Sequence, residues 1–263
     1  MPPRARSARL PHWRAALSTV GTPLVGIAGF IAAWWAAVVV LDVAPYIVPG
    51  PPAVAAAIRD QPGYLLQNAA VTLGEAMAGF ALAIASAVLL GTILAASRRL
   101  ERALYPMLLT LSSTPKPVFA PLLITIGGFG AGPKVVLVWL MCFFPIALAT
   151  STGLTATSAE FVELAQSLNA SRWTTFLKFR VPAALPHIFG GLRIALPLAL
   201  IGATVAELFG ATQGLGVVIQ NAGTNAALAW AAIVVLAAMS INLFYALTAT
   251  LRALAPWIRH TTA

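Results

Sequence analysis

The chain has 263 residues, of which 60% are hydrophobic and only 9% charged, where a soluble globular domain carries about 25% charged residues. An ordinary water-soluble fold is excluded, because the apolar residues come in long uncharged runs rather than in one-sided stripes. The net charge of +9 does not point to nucleic acid: the basic residues form no stripe with interleaved aromatics but sit in short clusters at the ends of apolar runs, as orientation signals do.

Run length and composition predict an all-α membrane protein with six spans, near 19–41, 72–97, 104–128, 134–156, 189–210 and 227–251. A basic segment, 1–18, with Arg4, Arg6, Arg9 and Arg14, precedes the first. The uncharged run from Val20 to Leu41 reaches roughly 30 Å at 1.5 Å per residue, the thickness of a hydrocarbon core. It is longer than the roughly 7–15-residue core of a cleaved secretory signal, so an uncleaved span is expected. Between Val43 and Gly63, Pro45, Pro49, Pro51, Pro52 and Pro62 predict an outer connection with a short surface helix over Ala53 to Arg59. Residues 19–63 thus form an added first unit, 64–255 a five-helix core and 256–263 a tail. Arg98, Arg99 and Arg102 follow the second span, Arg172, Lys178, Arg180 and Arg193 surround the connection to the fifth, and Arg252 and Arg259 follow the last. The alternate connections hold few charges, so the positive-inside rule puts both termini in the cytoplasm. No internal repeat suggests the inverted halves of a secondary transporter.

The third span carries Pro115, Pro117 and Pro121, with Gly127, Gly128, Gly130 and Gly132 at its outer end. Proline removes backbone donors and kinks or breaks a helix, which hydrocarbon tolerates only beside protein or a water-filled cavity. Lys116 points the same way, since a lysine at mid-helix costs about 2.5–3.5 kcal/mol to insert. Two readings stand: a gate or pathway-lining segment, or a kinked helix whose lysine snorkels to the cytoplasmic face.

The long connection from Thr157 to Pro186 is polar yet keeps helical periodicity, with Phe161, Leu164, Ala165 and Leu168 on one face. Thr157 and Glu160 have capping-box spacing. Asn169 accepts a left-handed conformation and closes the first short helix. Ser171 caps a second, whose apolar stripe is Trp173, Phe176 and Leu177, and Pro182 and Pro186 stop it before the fifth span. Two short helices at a tight corner form a knob that can receive a push from a partner.

This segment resembles the EAA loop of ABC importer permeases, in which Glu-Ala-Ala, a glycine and a closing Ile-x-Leu-Pro stand at fixed spacing. Glu163, Leu164 and Ala165 stand for the triplet, Asn169 for the glycine, and Phe179, Arg180, Val181 and Pro182 for the closing pattern. Leu164, Asn169, Phe179 and Val181 are departures from it. The resemblance runs from about Asn68 to Leu254 and is nearest to the nitrate, sulfonate and taurine branch, through SRRLERALYPML, LPHIFGGLRIALPLAL and AELFGATQGLG. It implies a six-helix type I importer permease fold. It implies ATPase-coupling roles for Glu163, Leu164, Ala165, Leu168, Asn169, Ala170, Ser171, Arg172 and Pro182. A translocation path or gate would involve Pro115, Lys116, Pro117, Pro121 and Glu207. The implied partners are a second copy of the chain, two ATPase subunits, a periplasmic or lipid-anchored solute-binding protein and the bilayer, with no nucleic acid.

No GxxxxGK[ST] loop occurs, so ATP would be bound by the partner subunit, and no cofactor is expected in this chain. His12, His187 and His260 have no metal-ligand spacing, and no GxSxG elbow suggests a hydrolase. Glu207 fits either an outer vestibule wall or the water interface, Glu75 the interface, and Arg193 the cytoplasmic edge of the fifth span. Cys142 reads as a small buried hydrophobe, and Trp34 and Trp35 as packing against lipid or a neighbouring helix. An ion-coupled secondary transporter remains the alternative, although of the intramembrane titratable groups it would need the chain offers Lys116 and little else.

Overall fold

A computed structural model of the protein describes residues 12–157, 163, 165 and 167–255, and among these helix is the only regular structure. Most of the basic N-terminal segment, the tail from 256, and Glu160, Phe161 and Leu164 lie outside the described residues. Proline sets several helix starts, because the first turn has no intrahelical use for the N–H that proline lacks. After α1 (His12–Val40), the expected surface helix forms as α2 (Pro51–Asp60), and α3 (Pro62–Ala96) begins ten residues before the expected span. The expected third span is two helices, α4 (Arg98–Ser113) and α5 (Ala120–Gly127), joined by a 3₁₀ turn at Lys116–Phe119 and bent by 80°. α6 (Ala131–Thr155) follows. A single turn at Arg172–Thr175 and a π-helical turn at Phe176–Arg180 lead into α7 (Val181–Gly210), then α8 (Leu215–Asn221) and α9 (Ala226–Leu254).

Among the described residues, α3, α6, the α7 unit and α9 are long and apolar enough to cross a membrane, and α4 with α5 makes a fifth candidate if the bent pair is counted as one span. The apolar stretch Val25–Val40 of α1 is shorter. Among the described residues these candidates fall where the second to sixth expected spans lie, and the expected first span, 19–41, falls on α1.

Pro186 does not stop the helix before the fifth span, as the sequence suggested. α7 runs unbroken through it for 30 residues, roughly 45 Å. Pro182 sits in its first turn, and Pro186 removes only the bond to the Pro182 carbonyl, still near the helix start. Arg193, near the start of the expected fifth span, lies within α7, half-buried, its Nε without a hydrogen-bond partner.

The core is the α3–α6–α7 packing, built from Ala76, Ala83 and Ala87, Val138, Cys142 and Ile146, and Ala195, Ala199 and Ala203. Small residues matter because apolar helices gain little from mutual burial in lipid and associate by close approach. A Cβ on Gly79 would lie 2.5 Å from the Val138 Cβ, and one on Gly191 2.5 Å from the Ala149 Cβ. Cys142 is the buried small residue expected, its Sγ donating to the Ala195 carbonyl at 3.3 Å. A second cluster joins α2, α3, α8 and α9 through Val54, Leu65, Leu215, Val218 and Ala231. Trp34 stacks on Trp230 at 5.2 Å, tying α1 to α9.

Candidate functional site

The polar connection after α6 is a rigid corner. The Ala170 N–H donates to the Ala165 carbonyl at 2.9 Å, and Asn169 between them has φ +54°. This is the six-residue closure of a helix C-terminus with its left-handed residue, the conformation expected of Asn169. Ser171 then caps the next turn: its Oγ accepts the Thr174 N–H at 3.1 Å, and its carbonyl accepts the Thr175 N–H at 2.9 Å. Ala165 is fully buried and anchors the corner, and Ala170 is half-buried. Leu168 and Trp173 project outward, 69% and 67% exposed, with Trp173 stacked on Phe176 at 5.9 Å. Glu163 is exposed. Arg172 opens the turn, and Pro182 stands in the first turn of α7, joined to the corner through the π-helical turn. A π turn inside a helix often marks a functional junction.

At the break in the third span, each proline occupies a position where its missing N–H costs nothing. Pro115 is extended ahead of the 3₁₀ turn, Pro117 lies in that turn's first residues and Pro121 in the first turn of α5. Lys116 donates from Nζ to the Ser112 carbonyl and, at 3.2 Å, to the Thr114 carbonyl. Its ammonium thus satisfies orphan carbonyls at the C-terminal end of α4, where a cation is also favoured by the helix dipole. The same ammonium stands 5.2 Å from the centre of the Phe144 ring. A cavity of about 380 Å³ opens beside it, bounded by Lys116, Pro117, Met141, Pro145, Leu148 and Leu198. The break therefore faces the bundle.

Glu207 lies neither in a vestibule wall nor at a water interface. It is fully buried at the opposite end of α7. Its Oε1 accepts the Thr72 hydroxyl at 2.7 Å and its Oε2 the Gly216 N–H at 2.7 Å. Thr72 in turn accepts the Leu215 N–H at 2.9 Å, and Asn68 Oδ1 accepts the Gly214 N–H at 2.8 Å. Gly214 has φ +122°, and a Cβ there would overlap the Glu207 carboxylate. The set clamps the start of α8 onto α3 and α7. Glu75 is likewise not interfacial: it pairs with Lys134 from the start of α6, and both side chains are buried.

Residues 87–260 match the family of binding-protein-dependent transport system inner membrane components. The chain belongs to that family. It is 34% identical to a probable ABC transporter permease protein of Haemophilus influenzae, over 84% of this chain and 91% of the relative. It is 35% identical to the formylaminopyrimidine transport permease protein ThiX of Halalkalibacterium halodurans, over 65% and 69%. To the taurine transport system permease protein TauC of Escherichia coli it is 30% identical over 93% of each. Its fold is that of a chain of the MetNI methionine ABC transporter in an inward-facing conformation, with a TM-score of 0.62 at 18% identity, covering 72% of this chain and 96% of that one.

As a member, this ABC permease is a multi-pass inner-membrane transport subunit of an importer and performs no catalysis itself. Membership removes the secondary transporter from consideration. What the sequence did not disclose is the clamp at the Glu207 end. Its signals were the one-turn spacing of Asn68 and Thr72, which shares a helix face, and the Gly214–Gly216 pair after the acid.

Proposed function

We propose that two copies of this permease, each with six spans and cytoplasmic termini, enclose the path of a small solute, and that two separate ATPase subunits bind ATP and dock on the corner between Glu163 and Pro182. The observation that carries the reading is the mounting of Leu168 and Trp173, large apolar side chains held outward on a corner fixed by Asn169 and Ser171. Apolar surface presented on a rigid polar knob marks a contact for another protein. ATP-driven closure of the ATPases would push this corner, and the π-helical turn would pass the push to α7, tilting it against α3 and α6 to alternate access.

The path in this reading runs past Pro115, Lys116, Pro117 and Pro121. An ammonium beside an aromatic ring and an apolar cavity suits an anionic or aromatic, pyrimidine-like solute. Relatives named for taurine and formylaminopyrimidine agree with that class. Selection among such solutes would rest mainly on a periplasmic or lipid-anchored binding protein. Glu207, enclosed in its clamp, is left out of the path. The test is ATP-driven uptake in proteoliposomes holding the permease, its ATPase and its binding protein. Glu163→Lys should abolish uptake while the chain still inserts. Unimpaired uptake by that variant would remove the corner from the coupling mechanism.

A further inference from the structure

At the end of the bundle opposite Glu207, a cavity of about 740 Å³ opens between the α3–α4 junction, the end of α6 and the π-helical turn. Arg98, Arg102 and Arg180 line it, together with the carboxylates of Glu101 and Glu163. Among the described residues none of these three guanidinium groups has an ion-pair or hydrogen-bond partner. Thr157 adds a buried hydroxyl oxygen that likewise has none. Three arginines against two glutamates leave the lining with a net charge of +1.

Unpaired guanidinium groups around one polar volume match a phosphate, whose oxygens accept their parallel N–H bonds in pairs. The N-terminus of α4, which supplies Arg98, faces the same space and favours negative charge. A feature of α3 distinguishes a lipid phosphate from a free one. Ala96 borders the cavity, and Ile93 and Leu89, one and two turns further into the span on the same face, are 44% and 63% exposed. They form an apolar track leading from the arginines along the membrane-spanning helix. A soluble phosphate makes no use of such a track, whereas an acyl chain lies along it.

We propose that this cavity binds the phosphodiester headgroup of an anionic phospholipid, with an acyl chain on the Leu89–Ile93 face of α3. The single negative charge of phosphatidylglycerol neutralises the lining. Arg98 and Arg102 belong to α4, and Arg180 to the turn that carries the corner, so one headgroup joins a span end to the coupling segment. That consequence rests on the proposed coupling role. The binding does not, and it is tested without transport.

The full chain, purified in detergent, is titrated with phosphatidylglycerol and with phosphatidylcholine, and retained lipid is read by native mass spectrometry. Wild type should hold phosphatidylglycerol in preference to phosphatidylcholine. At about 1 kcal/mol per basic residue, each of Arg98→Gln, Arg102→Gln and Arg180→Gln should weaken this about fivefold, and the triple variant on the order of a hundredfold. Arg59→Gln, exposed beside Asp60 away from the cavity, should change nothing. The single variants keep the test open if the triple variant does not fold. Equal retention of the two lipids, or phosphatidylglycerol binding indifferent to all three substitutions, overturns the proposal. So does saturable binding of inorganic phosphate that the lipid fails to displace, which would mark a site for a soluble anion.

Discussion

Replacing Glu207 by alanine separates a structural clamp from a pathway residue. The substitution removes both acceptors from a fully buried site. Thr72 can redirect its hydroxyl to the Asn68 carbonyl, 3.2 Å away, so one donor, the Gly216 N–H, is left without an acceptor. An orphaned buried donor costs about 1–3 kcal/mol. The hole left by roughly 50 Å³ of side chain adds about 1 kcal/mol at 24 cal/mol per Å³. The sum, about 2–4 kcal/mol, corresponds to a fall in the thermal midpoint of roughly 5–15 °C for a chain of this size. Glu207→Gln keeps the volume and one acceptor and should lose about half as much. The assay is thermal unfolding of the detergent-purified permease. An unchanged midpoint for Glu207→Ala, with transport impaired, would refute the clamp and return Glu207 to the path.

Three further outcomes follow from the same geometry. Lys134→Met strands the buried Glu75 carboxylate and should cost about 3–5 kcal/mol; the double variant Glu75→Gln with Lys134→Met should recover most of it in the same melting assay, and equal losses for both would contradict the pairing. Gly214→Ala places a Cβ into the Glu207 carboxylate at positive φ, so this small substitution should reduce the yield of monodisperse protein more than Gly63→Ala, which meets open space. At the corner, Asn169→Gly should leave ATP-driven uptake intact, whereas Asn169→Val, which pays about 1–2 kcal/mol for the left-handed conformation, should depress it; equal uptake by both would mean that the turn is not rigid.

The corner was legible in the sequence because its signals are local. Asn169 at a left-handed position and Ser171 three residues before Thr174 are choices that backbone geometry itself demands. The broken third span was legible as a break, since three prolines leave few alternatives, but its 80° bend was not. That angle depends on how α4 and α5 each pack on α6, and no periodicity encodes it. Pro186 was misleading: proline near a helix start and proline in mid-helix look alike until the start is known. The clamp was hidden because Asn68 and Thr72 lie far in sequence from Glu207, and the three side chains bond mostly to backbone N–H groups, which almost any residue supplies. Glu75 and Lys134 were hidden for a related reason, since each alone resembles an interfacial charge and only packing buries them together.

The central claim is that an ATPase subunit grips the corner through Leu168 and Trp173. Affinity purification of the tagged permease from its native membranes, wild type beside Leu168→Asp with Trp173→Asp, tests it directly. An ABC ATPase that accompanies the wild type and is missing from the variant, with both chains equally folded and inserted, is the predicted result. An ATPase retained equally by both would contradict the claim.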